Sequence, residues 1–441
     1  MAPVVRFAPS PTGQLHVGNL RTAIVNALFA EHSGGRLILR LDDTDTARSR
    51  EDYVEGIRAD LAWLGIRWDA EERQSARTAA YEAAFARLKA SGRVYPCYET
   101  PEELDIRRKI QLSRGLPPVY DRAALKLTEA DRARLEAAGQ TPHWRFRLDT
   151  GARIAFDDLI QGHVSMDPAS LSDPVVRRAD GSWLYLLPSV IDDIDMGITH
   201  VVRGQDHLTN STIQLQMFQA LGATPPALAH LALLSTRDGE LSKRLGSAGV
   251  AHYREQGIEP LALIAYLARL GTSLPIEPVT ERAVLVASFA WEHFNKANAL
   301  FDEADLIGLN TKILHHLPWE AVAARLPAGM TADDWLMLRG EITRLDDIAR
   351  PWRLITGPVT PVIEDAAYIA AARDALAALP WGDDIWVRWT AALKAATGRK
   401  GRELFLPLRQ ALTGDSHGPE MAPLLARIGR EAALARLGDA A

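Results

Sequence analysis

The chain has 441 residues, more than one ordinary domain, and its 47% hydrophobic and 24% charged composition is that of a water-soluble globular protein. A formal charge of −6, from 50 basic and 56 acidic residues, argues against a generally basic nucleic-acid coat and taken alone favours a small-molecule enzyme. One cysteine, Cys97, excludes an internal disulfide and a zinc site of several thiolates, and no apolar run approaches the ~18 residues of a membrane span. The first residues, MAPVVRF, hold no charged stretch leading into a long apolar core, so no signal peptide is expected and the cytoplasm is the expected compartment.

The chain opens as alternating strand and helix. Val4–Ala8 reads as a buried strand, followed by a loop with two prolines and a glycine. A helix carries Leu20, Ala23, Ile24, Ala27 and Leu28 at helical spacing and ends at Gly34-Gly35. Leu37–Leu41 is a second strand; Ser49 with Asp52 suggests a capping box for a helix with the stripe Val54, Ile57, Leu61 and Leu64. Strand, helix and strand in so short a span imply a right-handed crossover in a parallel sheet, whose first loop lies where ligands bind. From about Arg93 to Arg178 the alternation gives way to short strands (Trp144–Leu148, Arg153–Phe156) among charged helical segments, as in an inserted domain. A hairpin with Asp180-Gly181 at its turn leads back to a strand at Thr199–Arg203 and a helix at Leu208–Leu221. Beyond about Val250 only amphipathic helices are legible, among them Pro260–Leu270, Ala332–Ile355 and Trp386–Ala396. From Lys394 to Asp439 eight Lys/Arg stand against five Asp/Glu, consistent either with a basic binding face or with a solvated helix surface.

The densest chemical signal is the loop Phe7-Ala8-Pro9-Ser10-Pro11-Thr12-Gly13-Gln14-Leu15-His16-Val17-Gly18-Asn19. A loop feeding a helix N-terminus presents backbone N–H groups and the positive end of the helix dipole, which suits a phosphate. Gly18 admits close approach to the backbone, and His16 can donate to a phosphate oxygen. Alone, this pattern is as readily a turn before a helix. Glu240-Leu241-Ser242-Lys243-Arg244 follows the polar stretch Ser235–Gly239, and its cations suit charge developing on a transferring phosphoryl group. Alone, it reads better as a solvated basic loop.

Together and in this order, the two segments resemble the paired ATP-binding motifs of the class I aminoacyl-tRNA synthetases. The HIGH motif corresponds to His16-Val17-Gly18-Asn19 and the KMSKS motif to Glu240-Leu241-Ser242-Lys243-Arg244. The run Arg6–Gly13, the segment Arg40–Asp45, the pair Asp192-Asp193 and the stretch Gly197–Gly204 resemble the glutamyl branch, as do Phe301-Asp302, Leu309-Asn310 and Gly398–Gly401. The resemblance spans essentially the whole chain. It implies a Rossmann-like α/β catalytic domain (1–92 and 181–250, the second part with the KMSKS-like loop) interrupted by an α+β domain for the tRNA acceptor end (93–180). An all-α C-terminal region would follow, with a stem-contact domain (251–315) and an anticodon-binding domain (316–441).

The resemblance also implies roles. Arg6 and Arg203 would meet the carboxylates of L-glutamate, Asp42 its ammonium, and Ala8, Ser10 and Tyr185 would line its pocket. His16, Gly18, Asn19, Asp206, Leu234, Leu241, Ser242, Lys243 and Arg244 would surround ATP, with His16 and Lys243 as the catalytic pair. ATP would arrive with Mg²⁺ and tRNA-Glu would accept the glutamyl group, with tRNA-Gln open as a second acceptor; a monomer is the family expectation. Some positions depart from the pattern. Asn19 stands at the second histidine, Asp42 at a more usual glutamate, Glu240 at the first KMSKS lysine and Gln205 at a usual glutamate. Tyr95–Glu99 resembles the start of the family's zinc motif, but Glu99 replaces the next thiol, so no zinc is expected. Three rivals remain: a paralogue that glutamylates a tRNA base, a non-catalytic RNA-binding relative, and a small-molecule nucleotidyltransferase. The long helical C-terminus speaks against the first and the intact His16, Gly18, Lys243, Arg6 and Arg203 against the second. The Gly398–Gly401 segment would be unexplained by the third.

Overall fold

The computed structural model describes residues 2–236, 239–240 and 249–438. Two compact units are distinguished: Met1–Arg254 with Leu263–Glu277 and Glu281–Asp302, and Glu255–Ala262 with Pro278–Thr280 and Glu303–Ala441.

The first unit is built on parallel strands. β1 (Val4–Phe7) pairs with β2 (Arg36–Leu41), and β2 with β3 (Ala70–Arg73), all parallel. A second sheet has the order β7 (Gly162–Met166), β6 (Ile154–Asp158), β10 (Ala227–Leu231), β9 (His200–Gly204); only its edge pair β6–β7 is antiparallel. The sheets meet where the Thr199 N–H donates to the Val4 carbonyl (2.9 Å) and the Val4 N–H donates to Thr199 Oγ1 (2.8 Å). Strand order therefore reverses between β1 and β9, the switch point at which such sheets leave a crevice beyond the strand ends. Side chains alternate across the sheet. Val202 and Ala229 pack with Val25 of helix α1 (Val17–His32), whereas Val201 and Leu228 pack with Leu215 of the Leu208–Ala220 helix. Cover on both faces explains why these strands read as continuous apolar runs.

The range 93–180 contributes to two places. β4 (Val94–Cys97), β5 (His143–Phe146) and β8 (Val175–Arg177) form an antiparallel sheet whose Val94, Phe146 and Val176 share a core with Tyr81, Phe85, Trp183, Leu187 and Met217. The β6–β7 hairpin, also within this range, pairs through β6 with β10 of the resumed α/β unit. An antiparallel bridge between Arg177 and Trp183 closes the expected Asp180-Gly181 hairpin.

Three local expectations are corrected. The helix α2 (Glu51–Trp63) has Arg50 as its N-cap with no side-chain cap; Asp52 pairs with Arg50 at 2.7 Å, and Ser49 Oγ is buried without a partner. A short strand does occur beyond Val250: Ala299–Leu300 pairs in parallel with Leu234–Thr236. The single helix expected over Ala332–Ile355 is instead Ala332–Leu338, two 3₁₀ turns, and Ala349–Thr356. Among the described residues, the regular elements of the second unit are all helical, with a core of Ile369, Ala372, Leu376, Trp389, Leu408, Leu412 and Leu425. No helix among the described residues is long and apolar enough to cross a membrane.

Candidate functional site

The crevice at the switch point is a cavity of about 640 Å³. Its walls bring together Arg6, Ala8, Ser10 and Asp42 from the ends of β1 and β2, with Tyr185, Arg203 and Asp206 from the other side. His16, Gly18 and Asn19 stand at the start of α1, and Leu234 closes the rim. These are all the sequence-predicted site residues that fall within the described chain. Leu241, Ser242, Lys243 and Arg244 lie outside the described residues.

At the α1 end, His16 is the N-cap. Its Nδ1 accepts the Gly18 N–H at 3.1 Å, while the Asn19 side-chain oxygen accepts the His16 N–H at 3.3 Å. Asn19 thus serves as the return half of a capping box, which accounts for an amide at this position. Because Nδ1 is an acceptor, the ring proton sits on Nε2, and burial keeps the imidazole pKa below its ordinary value. His16 therefore offers a neutral N–H donor. A Cβ at Gly18 would come within 2.9 Å of the His16 ring, so the glycine protects this cap as well as ligand approach. No acidic residue in the first turn offsets the positive helix end.

The other wall is a buried charge network. Arg40 grips Asp42 through Nε (2.8 Å) and Nη2 (3.4 Å) and donates from Nη1 to Asp193 (2.6 Å). Arg6 Nε donates to the same Asp193 oxygen at 3.2 Å. Asp192 receives Gln74, Arg77 and Tyr81. Asp42 is raised above its ordinary pKa by burial, against which Arg40 works. Arg203 differs: its partners among the described residues are the neutral Ser211 and Gln214 (2.7 Å), and its buried Nε has none. Burial, then the proximity of Arg6, pull its pKa down to about 10, as befits a cation with no carboxylate in contact among the described residues.

Residues missed by sequence reasoning include Arg21, which fastens α1 to the carbonyls of Ala232 (2.6 Å) and Leu270 (2.8 Å), and His207, 3.4 Å from the Tyr185 hydroxyl. Neither stands in a pattern that betrays it.

Away from the crevice, Cys97 Sγ, a Glu99 oxygen and a His143 nitrogen lie within 4.8 Å of one another. Glu99 Oε2 and His143 Nε2 are buried without partners, features that invite a cation. A closed zinc site needs four donors, commonly with several thiolates. Here burial pushes the one thiol up to about 12, the Tyr120 hydroxyl already donates to Glu99 (2.7 Å), and the Arg107 guanidinium stands 3.6 Å from that carboxylate. The donor set does not fit closed zinc. His143, on another strand, gave no sign of this association in the sequence.

Comparison with known proteins bears on the same features. The family of "tRNA synthetases class I (E and Q), catalytic domain" matches residues 3–307, and "Anticodon binding domain" matches residues 337–441. The chain is 59% identical over 440 residues to Glutamate--tRNA ligase 1 of Rhizorhabdus wittichii, covering 99% of each chain. It is 60% identical over 443 residues to Glutamate--tRNA ligase 2 of Sphingopyxis alaskensis, covering 100% of this chain and 99% of the other. Among solved structures, a glutamate tRNA ligase of Elizabethkingia meningosepticum in complex with its amino acid superposes with a TM-score of 0.84 at 27% identity, covering 99% of this chain and 98% of that one.

Proposed function

The chain belongs to the glutamate–tRNA ligases, class I synthetases that join L-glutamate to tRNA for protein synthesis, and on that premise we propose how its crevice divides the work. The observation that carries the reading is the pairing, in one cavity, of a helix N-terminus capped by a donor histidine with a buried guanidinium that no carboxylate contacts among the described residues. ATP lies along the α1 start, its phosphates facing His16 Nε2–H and the backbone at Gly18 and Asn19, with Asp206 and Leu234 beside it; the motif assigns Leu241, Ser242, Lys243 and Arg244 to the same nucleotide. It arrives as its Mg²⁺ complex. Glutamate takes the other wall. Its side-chain carboxylate meets Arg203, its α-carboxylate lies by Arg6, and its ammonium meets Asp42, whose oxygens keep lone pairs beyond those used by Arg40. Ala8, Ser10 and Tyr185 shape the space between.

The α-carboxylate oxygen attacks the α-phosphorus of ATP, forming glutamyl-adenylate and releasing pyrophosphate. A terminal ribose hydroxyl of the tRNA then attacks the acyl carbon and displaces AMP. No protein nucleophile is needed; the side chains align the reactants and stabilise developing negative charge. Glutamine places a neutral amide against Arg203 and forfeits the charge-assisted pair, so selection requires no editing step.

In this reading 1–92 and 181–250 carry the chemistry, 93–180 receives the acceptor end, 251–315 contacts the stem and 316–441 reads the anticodon. The enzyme acts as a cytoplasmic monomer. Its Cys97 cluster works without metal: protein purified without chelators should hold well below one zinc per chain. One zinc per chain, lost on Cys97→Ser, would overturn that statement.

The functional test is charging of purified tRNA-Glu and tRNA-Gln with [14C]-glutamate, with glutamine as control. The expected result is charging of tRNA-Glu with no glutamine incorporation. Parallel charging of tRNA-Gln would identify a non-discriminating enzyme, and charging of neither would remove the reading in favour of the base-modifying paralogue or the nucleotidyltransferase.

A further inference from the structure

Arg203 is joined to a line of polar side chains from three separate elements, none of which lines the cavity. Ser211 on the Leu208–Ala220 helix contacts the Arg203 Nη2; its Oγ lies 2.6 Å from His230 Nε2 on β10, and His230 Nδ1 lies 2.6 Å from Asp158 Oδ2 on β6. His230 and Ser211 are 0% and 1% exposed, so solvent does not satisfy these groups. Asp158 is anchored further: its Oδ1 accepts the N–H groups of Ile160 (2.9 Å), Gln161 (2.8 Å) and His230 (3.2 Å). Burial works against its charge, but His230 and these backbone donors outweigh it and hold the carboxyl below the usual range.

The two ends fix the order of protons. A guanidinium can only donate, so Ser211 Oγ accepts from Arg203 and turns its own O–H toward His230 Nε2. That nitrogen is then bare, the ring proton sits on Nδ1, and it is donated to the carboxylate. Every donor points from Arg203 toward Asp158. An aspartate, histidine and serine in line also invite a nucleophile reading. Against it, Ser211 Oγ is occupied by the guanidinium and sealed from any acyl group.

The contrast with Arg6 gives the arrangement its meaning. Arg6 and Arg40 are held by a carboxylate in direct contact, which partly offsets their charge. Arg203 is held instead through two neutral groups, Ser211 and Gln214. We propose that Asp158, His230 and Ser211 form a positioning relay that fixes the Arg203 guanidinium while reserving its charge for the side-chain carboxylate of glutamate. A carboxylate in direct contact would fix it equally well and compete with the substrate.

The inference rests on Arg203 being the residue that meets the substrate carboxylate, and the test separates the two. Steady-state charging of tRNA-Glu is measured for wild type, Arg203→Ala, Ser211→Ala and the isosteric Asp158→Asn, varying glutamate and ATP separately. Asp158→Asn presents an N–H to His230 Nδ1 and so opposes the proton order without opening a cavity. Ser211→Ala and Asp158→Asn are expected to raise the KM for glutamate about tenfold, with the KM for ATP and kcat within about twofold of wild type. An unchanged glutamate KM in both variants, while Arg203→Ala raises it, would overturn the relay and keep the Arg203 assignment. Equal losses toward ATP and glutamate would mark general structural damage and also overturn it. An unchanged glutamate KM in Arg203→Ala would remove the assignment itself, and the relay with it.

Discussion

Replacing Asp193 by alanine is expected to destabilise the first unit by about 3–5 kcal/mol and to abolish glutamate activation, because removing one partner of a buried ion pair strands the other charge. Asp193 is the common acceptor of Arg6 and Arg40, which are only 5% and 1% exposed. Arg40 would keep Asp42, but the carboxylate that Arg6 contacts would be gone. Arg6 and Arg40, which share that oxygen, would then repel each other, and Asp42 and Asp192 beside Arg40 would not replace the contact that Arg6 loses. Asp193→Asn, which keeps an acceptor oxygen and the side-chain volume, should lose distinctly less. A protein of two units need not unfold in one step, so the measurement is hydrogen exchange read at the amides of β1, β2 and the Leu186–Asp195 helix that carries Asp193. Unchanged protection there would show that the network is not what holds these elements together.

Lys243→Ala should lower kcat by about 10²–10³, the loss typical of removing one group that stabilises transition-state charge, with unfolding behaviour unaltered. The expectation comes from chemistry. Attack on the α-phosphorus loads negative charge onto phosphate oxygens, and His16, held neutral by burial and its cap, contributes a hydrogen bond but no charge. Glu240 stands where the KMSKS pattern has its first lysine, so Lys243 and Arg244 supply the motif's positive charge. Lys243→Arg keeps the charge in a broader, planar head and should recover only part of the rate. Single-turnover formation of glutamyl-adenylate isolates the step. Wild-type rates for Lys243→Ala would retire the catalytic role.

Features carried by contiguous residues were legible in the sequence. The strand–loop–helix opening, the His16–Asn19 loop and the resumption of the α/β unit near Thr199 all leave local patterns. What escaped depends on long-range association or on rules that more than one structure satisfies. Asp158, Ser211 and His230 come from three elements and stand in no motif; only the pairing of β6 with β10 brings Asp158 to His230. The Ala332–Ile355 stretch does keep apolar residues at helical spacing, and Trp335, Leu338, Ile342, Leu345, Ile348 and Trp352 are all buried. Successive short turns satisfy the same periodicity. The helix gives way after Leu338, and Asp347 accepts the Arg344 N–H at 2.9 Å and the Thr343 hydroxyl at 3.0 Å, closing the start of the separate turn Leu345–Ile348. At Ser49 the capping pattern was present, but the neighbouring Arg50–Asp52 pair competed for its acidic half.

The burial of Cys97 has a practical consequence for watching this enzyme work. The chain's one thiol is 0% exposed and strongly disfavours its ionised form, so maleimide dyes and oxidants find little nucleophile there. Cysteines introduced at solvent-facing positions can therefore be labelled selectively in the otherwise native sequence. A fluorophore on the rim of the crevice and another on a bound tRNA would report loading and release in real time. The protein is in effect already a cysteine-silent scaffold for single-molecule spectroscopy.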